Sequence, residues 1–239
     1  MEPNNGGSAL VEGSPWAAVL MSWIAILILG ILAYLGTRRM RRVPGPLQNV
    51  LEFTVDGLFN FIEGVIGPGS KKYAPFIATF FVYILFMNLM GLIPGFKSPT
   101  SGLNMTVALG LLSFFYVQYQ AIKQNGFIKY ILHFWGEPWV LGPLMFPIHV
   151  IGELAKPLSL SIRLFGNIFG DDKIIIILAG LSPFLFGKPW LKYIPVQFPM
   201  MVFAVFTSFI QALIFTVLTA AYLTVLMTHE EEPANVGPH

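Results

Sequence analysis

The sequence predicts an all-α integral membrane protein with five membrane-embedded helices and one amphipathic surface helix. Of its 239 residues, 55% are hydrophobic and only 11% are charged, whereas soluble domains carry about 25% charged residues. The apolar residues also come in long runs, and a transmembrane helix needs roughly 20 of them in succession. We therefore expect a single membrane domain over residues 1–239.

The first apolar run, residues 16–36, follows a polar tail at 1–15 and ends beside four arginines between positions 38 and 42. Such a cluster marks the cytoplasmic side, so the N-terminus is predicted outside. Residues 47–66 have apolar side chains at helical spacing, with Glu52, Asp56 and Glu63 on another side. This pattern favours an amphipathic helix on the membrane surface, with a second span as the alternative.

Two shorter spans follow at residues 75–93 and 105–122. Residues 127–143 contain tryptophans suited to the membrane interface. The last two apolar stretches, 146–181 and 191–227, would each form a helix of about 50 Å, against a hydrocarbon core of about 30 Å. We expect them to form a long, tilted hairpin whose C-terminus is cytoplasmic.

Several classes of function are excluded by what the sequence lacks. There are no cysteines, which excludes a disulfide framework, a thiolate metal site and a cysteine nucleophile. The net charge of +2 gives no basic field for nucleic acid. No nucleotide-binding loop and no hydrolase motif occurs, which argues against a membrane-bound enzyme. His149 and Glu153 are four residues apart but have no third ligand nearby, so no metal and no cofactor is expected.

The fourth long stretch carries the chemistry, because ionisable residues within a membrane cost about 2.5 kcal/mol or more each and are candidates for function. The polar residues of this stretch are His149, Glu153, Lys156, Arg163, Asn167, Asp171, Asp172 and Lys173. Arg163 shares a helical face with small residues, which would let a partner helix approach its permanently charged guanidinium. The pattern predicts transport of protons or sodium ions.

The two aspartates lie on other faces of this helix. At about 100° per residue, Asp172 falls about 180° from Arg163 and about 13 Å further along the axis, and Asp171 falls about 80° away. Asp172 is therefore expected to line a wet path rather than to pair with Arg163. Structural alternatives stay open: Glu153 can pair with Lys156, and the acidic pair can mark the helix end.

The last helix carries polar side chains, among them Thr207, Ser208 and Gln211. Thr207 and Gln211 are four residues apart on one face. Their hydroxyl and amide groups can either relay water or hydrogen-bond a neighbouring helix.

Three segments of the chain resemble the a subunit of the F-type ATP synthase. These are residues 157–167 (PLSLSIRLFGN), residues 211–223 (QALIFTVLTAAYL) and residues 88–95 (NLMGLIPG). The resemblance implies that Arg163 faces a rotating ring of small hairpin c subunits and separates two offset half-channels. It implies that Asn167 and Gln211 lie near this arginine, and that Asp172 belongs to the outer access path.

We also expect Glu153, His149, Asp171 and Ser208 to belong to the ion pathway, and b-type peripheral stalk subunits to be partners. The chain would bind no nucleotide itself, and a bacterial plasma membrane is its expected location. Some relatives carry a histidine where this chain has Ala204, and many carry glutamate in place of His149. The alternative function is a self-contained secondary ion transporter or channel.

Overall fold

The computed structural model describes residues 16–38, 45–67, 69–93, 98–126, 142–185 and 198–228, together with Tyr130. Within these residues the chain forms six α-helices and no strand, which confirms the all-helical prediction. The predictions for the polar tail, the arginines at 39–42, the interfacial segment 131–141, the connection 186–197 and the C-terminus from 229 lie outside the described residues.

The helices follow the apolar runs of the sequence. They are α1 (Trp16–Thr37), α2 (Pro46–Ile66), α3 (Ala74–Met90), α4 (Leu103–Asn125), α5 (Gly142–Leu185) and α6 (Phe198–Thr228). Two 3-10 turns, Ser70–Lys72 and Pro99–Ser101, precede α3 and α4. Pro46 opens α2 at a position where its missing N–H costs no helical hydrogen bond. Gly67 ends that helix at a φ of +92°, in a region that side chains with a Cβ rarely adopt.

In the described part of the chain, three segments are long and apolar enough to cross a membrane: Ala18–Thr37, Leu103–Gln124 and Phe198–Leu226. The apolar helix α3 is shorter, with 17 residues. Helix α5 has 44 residues and would extend about 66 Å, but it carries the charged residues discussed above. The embedding of α3 and α5, and with it the total of five embedded helices, stays a prediction.

Helix α2 is amphipathic in the structure. Its Ile62 is fully buried, and Leu58 packs against the helices beneath. The charged residues Glu52, Asp56 and Glu63 are exposed on another side of the helix. The helix contacts α1, α3 and α6, so it is attached to the bundle along one face only.

The core joins α3, α5 and α6. From α3 come Phe80, Phe81, Ile84 and Met87, from α5 Leu160, Leu164 and Ile168, and from α6 Ala212 and Phe215. The Phe80 and Phe215 rings stack at 5.5 Å, and Phe81 meets Phe209 edge-on at 5.6 Å. Because the residue numbers rise on α3 while they fall on α6, these two helices run antiparallel.

Helices α4 and α5 approach each other closely at Gly110 of α4. A Cβ atom added there would lie 2.9 Å from the carbonyl oxygen of Pro157 and closer still to the Ser161 hydroxyl. The Ser161 hydroxyl is itself held by that carbonyl at 2.7 Å. Small residues of this kind let two membrane helices come into direct backbone contact. Gly110 therefore sets the distance between α4 and α5.

Candidate functional site

Helices α5 and α6 run antiparallel, as the polar contacts between their described residues show. Lys156 lies over the Tyr222 ring at 5.0 Å. Asn167 Nδ2 donates to Gln211 Oε1 at 2.7 Å, and Thr207 Oγ1 donates to Asp171 Oδ2 at 2.5 Å. From one contact to the next, the residue number on α5 rises by as much as the residue number on α6 falls. All three contacts therefore belong to one antiparallel register. The predicted hairpin also includes residues 186–197, so the hairpin itself stays a prediction.

Arg163 lies within this register, between Lys156 and Asn167, but its side chain is exposed. The buried stripe of α5 consists of Pro157, Leu160, Ser161, Leu164 and Ile168. Among the residues that the structure describes, none forms an ion pair or hydrogen bond with its guanidinium. A Cβ added at Gly166 would meet nothing within 4 Å, so this chain leaves the surface beside Arg163 open.

Asn167 and Gln211 continue from Arg163 along the interface of α5 and α6. Asn167 is exposed one helical turn after Arg163, whereas Gln211 is only 1% exposed. The Gln211 oxygen accepts from Asn167, and the Gln211 Nε2 atom has no hydrogen-bond partner in the described part of the chain. Ser208 is buried on the same helix. The amide pair thus connects the exposed Arg163 face to the interior.

Glu153 forms the structural pair that the sequence left open. Its carboxylate accepts from the Lys156 ammonium and, at 3.2 Å, from Gln118 Nε2 on α4. The Tyr130 hydroxyl donates to Gln118 Oε1 at 2.6 Å, which extends the network to a third segment. Burial and the charge of Glu153 together raise the pKa of Tyr130 to about 12. Gln118 and Tyr130 had no distinguishing sequence pattern and were not predicted.

His149 and Asp172, the two other predicted site residues, are both partly buried on α5. His149 lies one turn before Glu153, and Asp172 follows the residue that meets Thr207. The structure thus places the predicted residues in two groups along α5. In the described residues, no three histidine, aspartate or glutamate side chains come together as a metal site.

A second buried polar cluster was not predicted. Thr100 Oγ1 contacts Asn88 Oδ1 at 2.7 Å and the Ser98 hydroxyl at 2.6 Å, and Ser98 donates to the carbonyl of Met87 at 3.1 Å. These contacts pin the turn before α4 onto the end of α3. Thr100 is fully buried, and the cluster lies where Pro99–Ser101 packs against α5. Asn88, an asparagine within an otherwise apolar run, is the sequence signal that would have indicated it.

Comparison with known proteins identifies the family of the chain. Residues 19–224 match the family model of the ATP synthase A chain. ATP synthase subunit a of Protochlamydia amoebophila is 38% identical over 92% of this chain and 86% of its own length. The corresponding protein of Geobacter sulfurreducens is 41% identical over 86% and 85%, and that of Nitratiruptor sp. is 40% identical over 92% and 94%.

The family match runs from residue 19 in α1 to residue 224 in α6, so it includes the interface of α5 and α6 that holds the candidate site. The relatives are matched over most of their own length as well. The chain therefore belongs to the ATP synthase A chain family and is a multi-pass membrane subunit of the ATP synthase complex, with a part in ion transport and ATP synthesis.

Proposed function

We propose that this chain is the stator subunit that carries ions past a rotating ring of small hairpin c subunits. The exposure of Arg163 is the observation that carries the proposal. An arginine facing lipid in the middle of an apolar helix is strongly disfavoured, whereas a carboxylate on a partner would compensate its charge. The open surface at Gly166 leaves room for that partner to approach closely.

Two half-channels, one on each side of Arg163, fit the grouping of the polar residues. Glu153 precedes Arg163 by about 15 Å along α5, and Asp171 follows it by about 12 Å. His149 extends the first group. Asn167, Gln211, Ser208 and Asp172 belong with the second. With the N-terminus outside, the first group lies on the cytoplasmic side and the second on the outer side.

The positive charge of Arg163 gives the coupling between ion flow and ring rotation its physical basis. A ring carboxylate near Arg163 is held ionised, because an adjacent cation favours the charged form of an acid. Moving away into apolar surroundings, the carboxylate must first take up an ion, since an unpaired charge in lipid is costly. A direct passage of cations from one half-channel to the other is opposed by the guanidinium. Rotation of the ring thereby becomes coupled to ion flow.

We place the chain in a bacterial plasma membrane, held against the ring by b-type peripheral stalk subunits. The bacterial origin of the matched relatives supports this location. A stator must resist the torque of the ring, so an external support is mechanically necessary. No nucleotide site is assigned to the chain.

The test is the substitution Arg163→Ala in the complete ATP synthase that contains this chain. After reconstitution into vesicles, ATP-driven ion pumping should be abolished while all subunits are still present in the purified complex. Ile151→Ala, on an exposed position of the same helix, serves as the matched control and should pump normally. Undiminished coupled pumping by the arginine variant would overturn the proposal.

A second set of vesicles, which contains only this chain, tests the alternative of a self-contained transporter or channel. The purified chain without its ring should conduct no protons or sodium ions. Selective ion flux through the isolated chain would favour that alternative instead.

A further inference from the structure

The contact between Thr207 and Asp171 contains more acceptors than protons. Thr207 Oγ1 lies 2.5 Å from Asp171 Oδ2 and 3.1 Å from the carbonyl oxygen of Ala204 in its own helix. A threonine hydroxyl carries one hydrogen, whereas it can accept through two lone pairs. It therefore cannot donate fully to both oxygens at once. The proton count depends on the state of Asp171.

Each protonation state of Asp171 has a complete hydrogen-bond arrangement with the same heavy-atom positions. When Asp171 is ionised, Thr207 donates to its carboxylate, and 2.5 Å is a normal length for a hydroxyl donating to an anion. When Asp171 Oδ2 carries a proton, it donates to Thr207, which turns its own hydrogen to the Ala204 carbonyl. Only hydrogens move between the two states.

The carboxylate of Asp171 meets α6 at a place where that helix brings no charged side chain. Residues 198–228 of α6 contain no charged side chain, and Tyr222 lies at the other end of that helix. The ionisable residues of α4 (Tyr116, Tyr119 and Lys123) are near the end that faces Glu153. The charges near Asp171 in the described residues are therefore those of its own helix: Arg163, Asp172 and Lys173. Lys173 is directed along α5, with its ammonium 5.2 Å from the Phe169 ring.

We propose that Asp171 and Thr207 form a proton relay in the outer access path, with Asp171 as the proton carrier and Thr207 as the positioning residue. This inference rests on the proposed function. On uptake, an O–H bond of a hydronium ion in the path breaks to leave water, and an O–H bond forms at Asp171. On release, that bond breaks and the proton passes to the next acceptor on the way to the ring. Thr207 stabilises the carboxyl group in both states.

The central experiment compares Thr207→Val with Thr207→Ser in the complete, vesicle-reconstituted complex. Valine keeps the shape of threonine without its hydroxyl, whereas serine keeps the hydroxyl. Loss of a hydrogen bond to a charged group corresponds to a factor of about ten or more in an equilibrium or rate constant. The rate of ATP synthesis should fall about tenfold in the valine variant, and its dependence on the pH of the compartment that the outer access path opens to should change. The serine variant should stay within about twofold of the parent rate.

An exchange of the two residues guards against a folding defect in the valine variant. Asp171→Thr alone should lose ion transport, and the double variant Asp171→Thr with Thr207→Asp should recover a substantial part of it. Subunit content of each purified complex reports assembly separately. A valine variant with the parent rate and pH profile would overturn the relay. So would an assembled exchange variant that remains as inactive as Asp171→Thr.

These outcomes are independent of the test at Arg163. If Arg163→Ala abolishes pumping while Asp171→Asn transports at the parent rate, the proposed function stands and the relay is wrong. If Arg163→Ala still pumps, the proposed function itself is wrong, whatever the result at Asp171.

Discussion

Asn167 on α5 donates a 2.7 Å hydrogen bond to Gln211 on α6, and Gln211 is 1% exposed while Asn167 is open to the outside of the chain. This bond ties the Arg163 face to the α5 and α6 interface at the point where the two helices must keep their register. Interhelical hydrogen bonds in membranes contribute about 0.6 kcal/mol on average and up to about 1.7 kcal/mol.

A double-mutant cycle should measure that coupling. We expect Asn167→Leu and Gln211→Leu each to slow ATP-driven pumping, and the double variant to be less impaired than the two effects combined. The non-additivity should correspond to roughly 0.6–1.7 kcal/mol, taken from pumping rates of equal amounts of assembled complex. Strict additivity would mean that the two amides act independently.

Gly110→Val should prevent correct packing of α4 on α5. Its side chain would collide with the Pro157 carbonyl, which belongs to the backbone and cannot rotate away. We expect little or no chain in the purified complex, as measured by subunit quantification. Gly30→Val is the control, because a Cβ at Gly30 meets nothing within 4 Å. Normal assembly of the Gly110 variant would contradict the observed helix distance.

Thr100→Val should destabilise the chain by about 1–3 kcal/mol, since it removes the hydroxyl that donates to the buried amide oxygen of Asn88. Replacing both residues, as Asn88→Leu with Thr100→Val, should recover part of this loss, because paired apolar replacements leave no unsatisfied group. The thermal midpoint for release of this chain from the complex provides the measurement. A double variant less stable than the single one would contradict the argument.

The raised pKa of Tyr130 predicts a stability change at high pH. Below pH 10 the phenol is neutral in both folded and unfolded chains and contributes no pH dependence. Between pH 10 and about 12 the unfolded chain ionises first, so the folded state should lose stability as pH rises. Tyr130→Phe should remove this component, as measured by the difference in thermal midpoint between variant and parent at pH 9 and pH 11. An unchanged difference would rule out the effect.

The helices could be predicted from the sequence because long apolar runs leave few other choices in a membrane. For Arg163 the sequence predicts a face of α5 other than that of Asp172, because helical geometry alone separates the two residues. The partner of Asp171 could not, because that contact needs the register between α5 and α6. Thr207 is one of several hydroxyls on α6, and only the packed structure selects it.

The Glu153 network and the Asn88 cluster were out of reach for a related reason. Gln118 and Thr100 are ordinary polar residues in sequence, and each gains its role from a helix or turn distant along the chain. Single-chain periodicity assigns a residue to a face but not to a partner. Tyr130 illustrates the limit, because its raised pKa arises from burial and from the charge of Glu153, 23 positions away.

The narrow buried stripe of α5 divides the helix into a buried side, which packs in the bundle, and an exposed side. Leu160, Leu164 and Ile168 hold the helix in the bundle, while Arg163 and Gly166 contribute nothing to that attachment. The side chains on the exposed side are consequently not constrained by packing within the chain. Under the proposed function, the ring opposite constrains the exposed side chains and the neighbouring helices constrain the buried ones. The two sets can therefore diverge in sequence independently of each other.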